Sequence, residues 1–177
     1  MLGIVKLTST KDKFKPVKPD DLLVSKTDLQ GNITYCNSNF LIYSGYSSEK
    51  LIGKTIFSIA HIDMPQSIFR HIWSELKGFN EVCSLVKTQS KGGEFYWTFM
   101  NATPSFDSDS QLIGYFFVQR SASAEAISYF EALYRDMLAV ESKSDPDISA
   151  MDASFQILDD IAATQGGHNE FVFSYYV

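Results

Sequence analysis

Residues 58–76, "SIAHIDMPQSIFRHIWSEL", gather side chains able to do chemistry: His61, Asp63 and His71, with Met64, Pro65 and Trp73 between and beside them. A closed metal site needs about four convergent ligands. His61-x-Asp63 offers two, and no third Cys, His or Glu stands at a suitable spacing, so no metal is expected. Asp63 is placed to cap a helix that begins near Met64, with Pro65 in its first turn. His61 then either lines a pocket or sits in a surface loop. His71 lies one step off the apolar rows 64/68/72/76 and 69/73, which predicts a solvent-facing side chain. Trp73 falls on the apolar face and suits either a core or the wall of a pocket for a planar molecule. No nucleophile elbow, phosphate-binding glycine loop or kinase signature is present, so neither an enzyme nor a catalytic residue is expected.

The elements that must position these residues follow from turn and cap signals. Residues 1–20, with five Lys and two Pro, read as an extended arm, mobile unless it docks. Leu22 to Cys36 reads as a hairpin turned by Asp28, Gly31 and Asn32. Asn37 opens a short helix that Gly45 ends, and Ser47 or Ser48 opens another that Gly53 ends. A succession of such short helices suggests a chain wrapping round a cavity. Met64 to Leu76 is the longer helix. Three strands follow, "EVCSLVKTQ", "EFYWTFMNATP" and "QLIGYFFVQR". The first two are joined by a Gly-Gly turn. Tyr96 and Trp97 alternate along the middle strand, so only one of them can face a pocket. Residues 123–141 read as a helix with Ile127, Phe130, Tyr134, Met137 and Leu138 on one face. "ESKSDPD" breaks it, with Pro146 suited to a first helical position. A second helix carries Ile148, Met151, Phe155, Leu158 and Ala162 at coiled-coil spacing. The tail "EFVFSYYV" reads as a short strand.

The bulk properties narrow the function. The chain has 177 residues and is 45% hydrophobic, 20% charged and 14% aromatic, the composition of a folded domain. Its net charge of −6 disfavours nucleic acid, whose binders neutralise phosphates. Cys36 and Cys83 have no metal-type spacing and fit a reducing compartment. No run approaches the ~18 apolar residues of a membrane span, and no signal peptide is evident. A cytoplasmic location is expected.

The order of elements and several landmarks resemble the PAS family. The carriers are "TDLQGNITYCNSNFLIYSGYSSEKLIGK", "HIDMP" with Trp73, "LVK" at 85–87, "YW" at 96–97, "NATP" at 101–104 and "IGY" at 113–115. More narrowly, they are similar to the sensory PAS domain of bacterial aerotaxis transducers. The resemblance implies an α+β PAS fold: a five-stranded antiparallel sheet with short helices on one face, here followed by C-terminal helices. The expected organisation is an arm at 1–20, the PAS domain at 21–120, a flanking helix at 121–142, and a second helix and tail at 143–177.

Aerotaxis PAS domains bind FAD non-covalently, and the resemblance places Asn37, His61, Asp63, Trp73, Trp97 and Asn101 as cofactor-binding residues. Three positions depart from the family. Its Arg before the His-x-Asp-Met-Pro motif is Ala60, its upstream His is Ile56, and an indole opening the third strand is Val82. Losing an Arg removes five donors and a fixed charge suited to a diphosphate. The Asn-Cys-Arg-Phe-Leu-Gln motif of light-sensing relatives is missing, so no flavin adduct is expected, and haem is not expected either. Two functions stand open. One is a redox or oxygen sensor using FAD and signalling by protein contact. The other is a cofactor-free interaction module, its pocket filled by Ile56, Phe57, Val82 and Met100, with terminal helices that form a homodimer or dock a partner.

Overall fold

The hairpin turn shows how local chemistry sets the frame. The computed structural model describes residues 13–141 and 148–176. Asp28 Oδ1 accepts from the backbone N–H groups of Gln30 (2.9 Å) and Asn32 (2.8 Å), and Asn32 Nδ2 donates to Oδ2 at 2.9 Å. These bonds, the Asn32 side chain first, hold the Asp28 carboxyl below its ordinary value. Gly31 takes φ 84°, and a Cβ there would lie 2.7 Å from the Trp73 ring. Glycine is therefore required twice over, for the turn and for the indole lying across it.

This turn joins β2 (Leu23–Thr27) to β3 (Ile33–Cys36). Helices α1 (Ser38–Ser44) and α2 (Ser48–Leu51), a 3-10 turn (Ile56–Ile59) and α3 (Gln66–Lys77) follow, then β4 (Val82–Gln89), β5 (Glu94–Phe106) and β6 (Leu112–Ser121). β2 pairs antiparallel with β3 and β6, and β5 pairs antiparallel with β4 and β6. These five strands are the predicted sheet. The described part of the N-terminal arm adds to it: β1 (Lys13–Phe14) pairs parallel with Glu94–Phe95. Residues 1–12 of that arm lie outside the described residues, as does the break with Pro146. Val86, Thr88, Met100 and Gln119 face inward, toward Phe40 and Ile56. Leu85, Lys87, Trp97 and Phe99 face outward.

The outer face and the free side of β4 are covered by α4 (Ala124–Glu141) and α6 (His168–Phe173), while α5 (Ile148–Ala163) lies on α3 and α4. An edge strand leaves N–H and C=O groups unpaired. Here side chains pair them. Asn169 Oδ1 accepts from the Cys83 N–H at 2.9 Å, His168 Nε2 donates to the Cys83 carbonyl at 2.8 Å, and the Tyr134 hydroxyl donates to the Leu85 carbonyl at 2.8 Å.

Three expectations are corrected. The described tail is a helix to Phe173 and then a turn, not a strand, because His168, Phe171, Val172 and Tyr175 fall at i, i+3, i+4, i+7. In α5 the buried row is Ala150, Ser154, Leu158 and Ala162, and Ile148 is 69% exposed. Three of these four residues are small, and only Leu158 and Ala162 belong to the coiled-coil row read from the sequence. Asp63 does not cap α3. The helix starts after Pro65, and its first free N–H groups, of Gln66 and Ser67, donate to the two Glu141 carboxylate oxygens at 2.8 and 3.0 Å. Ser154 Oγ donates to the same carboxylate at 2.9 Å. A carboxylate at a helix N-terminus is favoured by the exposed N–H groups and the helix dipole.

Glu141→Ala strands these buried donors and should lower unfolding free energy by about 1.5–3 kcal/mol. Urea denaturation measures the loss. Hydrogen exchange should report it first at the Gln66 and Ser67 amides that open α3; unchanged exchange there would refute the capping role.

Candidate functional site

Two of the family-like residues, His61 and Trp73, border the gap between α3 and the inner face of the sheet. The 3-10 turn brings Phe57 into that gap. Its ring lies 4.5 Å from Phe69, 5.7 Å from Trp73 and 6.3 Å from Phe117, centroid to centroid. Trp73 also packs edge-on against Tyr115 at 5.4 Å. Behind Phe57 the interior narrows to a cavity of about 10 Å3 lined by Phe40, Ile56, Val86, Met100 and Gln119, roughly the room of one water. In front of Phe57 lies an open groove of about 570 Å3. His61, Met64, Phe69, Arg70, Trp73 and, from α5, Met151 are among its walls. Phe57 and Ala60 line both spaces, so the Phe57 ring is the partition between them.

The six predicted site residues separate. His61 and Trp73 meet at the groove. Asn37 is a structural tie: its Oδ1 accepts from the Val24 and Phe40 N–H groups, each at 3.0 Å, and its Nδ2 donates to the Leu22 carbonyl at 2.8 Å. It caps α1 and clamps β2, and it lines neither space. Asp63 turns away from the groove and pairs with Lys87 Nζ at 2.6 Å. Trp97 and Asn101 share one parity on β5 and lie on the outer face. Trp97 packs on Tyr134, and Asn101 Nδ2 donates to Glu81 Oε1 at 2.6 Å. Tyr96 is the residue of the pair that faces inward, against Tyr43 at 5.9 Å.

His71 is also not where periodicity put it. It is stacked on Phe155 at 4.4 Å and meets His168 edge-on at 4.4 Å. Its Nε2 and the His168 Nδ1 are buried without a hydrogen-bond partner. Burial, reinforced by the neighbouring imidazole, lowers the His71 pKa to about 4. Burial lowers that of His168 too, against the opposing pull of the Cys83 carbonyl, Glu75 and Asp159. Both rings are neutral spacers between α3, α5 and α6. Among the described residues no cluster of three or more His, Cys, Asp or Glu could hold a metal.

The family model for the PAS fold matches residues 23–122. The chain belongs to the PAS family. It is 35% identical to the aerotaxis receptor of Escherichia coli (strain K12) over 124 residues, covering 70% of this chain and 24% of the receptor. It is 27% identical to the nitrogen fixation regulatory protein of Klebsiella pneumoniae over 110 residues, 62% of this chain and 22% of that protein. The chain thus spans under a quarter of these curated relatives. Among solved structures, a light-oxygen-voltage domain studied with a flavin analogue superposes with a TM-score of 0.55 at 16% identity, over 65% of this chain and 86% of that one. The dark structure of the blue-light photoreceptor Aureochrome1 LOV gives 0.53 at 16% identity, over 68% and 85%. These structures establish the PAS fold.

A flavin is the group the resemblance implies, and this PAS interior does not fit it. The inner cavity is too small for any ring, and its walls are mostly apolar. The Phe57 ring fills the space between α3 and β6, and Ala60 supplies no charge for a diphosphate. Residues that sequence reasoning missed are Lys87, Glu141 and His168. Lys87 stands in the "LVK" stretch that carries the resemblance but has no site role there, and the other two act across more than 70 positions of sequence.

The buried imidazoles set a pH dependence. The folded pKa of His71 is below its ordinary 6.5, so the unfolded chain binds more protons as pH falls. Stability is full above about 6.5 and is lost progressively down to about 4. Urea midpoints across this range should fall for the native chain and less steeply for His71→Phe, which keeps the ring stack.

Proposed function

We propose that the chain is a PAS signalling module without a resident cofactor, acting in the cytoplasm by contact with another protein rather than as an enzyme. The observation that carries this reading is the Phe57 ring, which leaves an interior of only about 10 Å3 behind it. Interiors are packed to crystal-like density, so a gap between helix and sheet is filled by a guest or by side chains. Phe57, Ile56 and Met100 meet there. The kinship with a receptor and a regulator supports a signalling role, and two free cysteines support a reducing compartment. Leu158 and Ala162 are fully buried within the chain, so a homodimer through the terminal helices would use other faces of them.

A second reading is favoured by the groove. His61 and Trp73 stand on it at family-like positions, and its 570 Å3 falls within the ~300–1,000 Å3 of ordinary ligand sites. On that reading FAD would bind with the Phe57 ring displaced, and its redox state would be the signal.

The absorption spectrum of the purified chain separates the two. The first reading expects no flavin bands, no uptake of added FAD, and no gain from Ala60→Arg alone. Flavin that co-purifies and is released on heating would overturn it. Phe57→Ala should lower stability by up to about 3 kcal/mol, the low end of such truncations, because the ring is half-buried.

A further inference from the structure

We propose that the outer face of the sheet carries a binding site for a small carboxylate, formed where α4 crosses β4 and β5. A cavity of about 180 Å3 lies there, lined by Asp63, Lys87, Trp97, Glu131, Tyr134 and Arg135, with Leu138 at its lip. It is separate from the groove and the interior, and it does not depend on whether a flavin binds.

Three observations point to an anionic guest. Trp97 is 2% exposed, and its indole N–H is buried with no hydrogen-bond partner among the described residues. Its side chain forms one wall of the cavity. Lys87, the cross-strand partner of Trp97, is 4% exposed. Its ammonium bonds Asp63 at 2.6 Å, approaches Glu131 at 3.7 Å, and lies over the Phe95 and Trp97 rings at 4.5 and 5.9 Å. An ammonium has three donors, and one of them is spent on Asp63. Arg135 lines the same cavity one helical turn after Glu131, and it has no hydrogen bond or ion pair among the described residues.

The lining selects the class of guest. Lys87 and Arg135 balance Asp63 and Glu131, so a monoanion meets about half the repulsion from the two carboxylates that a phosphate dianion would meet. The guanidinium fork matches a carboxylate in two parallel bonds. The Tyr134 ring and Leu138 offer an apolar side for a short carbon chain. The volume is below the ~300 Å3 of drug-sized pockets, which limits the guest to a small metabolite. An ammonium on that metabolite would find Glu131, so amino acids and simple acids share the chemistry. Such a guest would join the sheet, through Trp97 and Lys87, to α4, through Arg135.

The chain has two tryptophans, so Trp73→Phe leaves Trp97 as the sole indole reporter. Acetate, lactate, glycine and alanine are titrated against its emission, with sodium chloride as the ionic control. Calorimetry on the unaltered chain repeats the measurement without any substitution. A saturable response to carboxylates and not to chloride is expected, weakened about tenfold or more by Arg135→Gln, as befits a charged hydrogen bond. Trp97→Phe, read by calorimetry, should weaken it as well. Tighter binding of alanine than lactate would assign Glu131 to an ammonium and uphold the site. No saturation by any of the four, or equal affinity in Arg135→Gln, would overturn the proposal and leave the cavity a water-filled recess.

Discussion

The unpaired side of β4 is the constraint on which the rest of this structure depends. A strand that ends a sheet must satisfy its outward N–H and C=O groups or offer them to another chain. Another strand would do so with main chain. Here Asn169 and His168 serve Cys83, Tyr134 serves Leu85, and the His61 N–H donates to the Lys87 carbonyl at 2.9 Å. The terminal helices are therefore part of the PAS domain's own packing. Their positions are tied to a strand laid down 49 to 86 residues earlier. Through them α5 is brought behind α3, where Glu141 and Ser154 complete the helix that walls the groove.

The interior obeys a different constraint, that of volume. Ala60 and Phe57 stand three residues apart on the same turn. One has neither the length nor the charge of the Arg that the resemblance leads one to expect there, and the other presents a ring between α3 and β6. Because Trp73, Phe69 and Phe117 all contact Phe57 edge-on or tilted, the packing is that of an aromatic core. Two polar residues nearby are engaged with the protein itself. Gln119 Oε1 accepts from Thr98 Oγ1 at 2.8 Å, and the Asn37 amide is spent on α1 and β2.

What the sequence made legible was local. Asp28, Gly31 and Asn32 announced the hairpin, and Gly93, at φ 85°, the next one. The four-residue rows of α3 announced its apolar face. Strand parity was legible too, since Trp97 and Asn101 had to share a face, but alternation does not say which face is the interior. That choice depends on where α3 and α4 lie, and those positions are set by contacts distant in sequence. His71 shows the same limit. A helix packed on one side leaves its other side to solvent only if nothing covers it, and α5 and α6 cover it here. Glu141 capping α3 spans 75 residues, beyond any pattern of propensities.

Groove and outer face are joined by one short turn. His61, 4% exposed, lines the groove, and its Nδ1 accepts the Asp63 N–H at 3.1 Å. Asp63 Oδ2 then reaches over the end of β4 to the Lys87 ammonium, which also faces Glu131 of α4. Lys87 is the element that gives this chain of contacts its energetic weight. A buried ammonium deprived of its carboxylate loses more than an exposed pair would, because the charge stays desolvated. Asp63 is itself 55% exposed, so its own desolvation is modest and the pair retains most of its Coulombic gain. His61, Asp63 and Lys87 thus stand in one unbroken run of contacts that ends at Glu131 of α4. The helix that leaves the PAS domain is thus tied to the mouth of the groove by three side chains and no long path through the core.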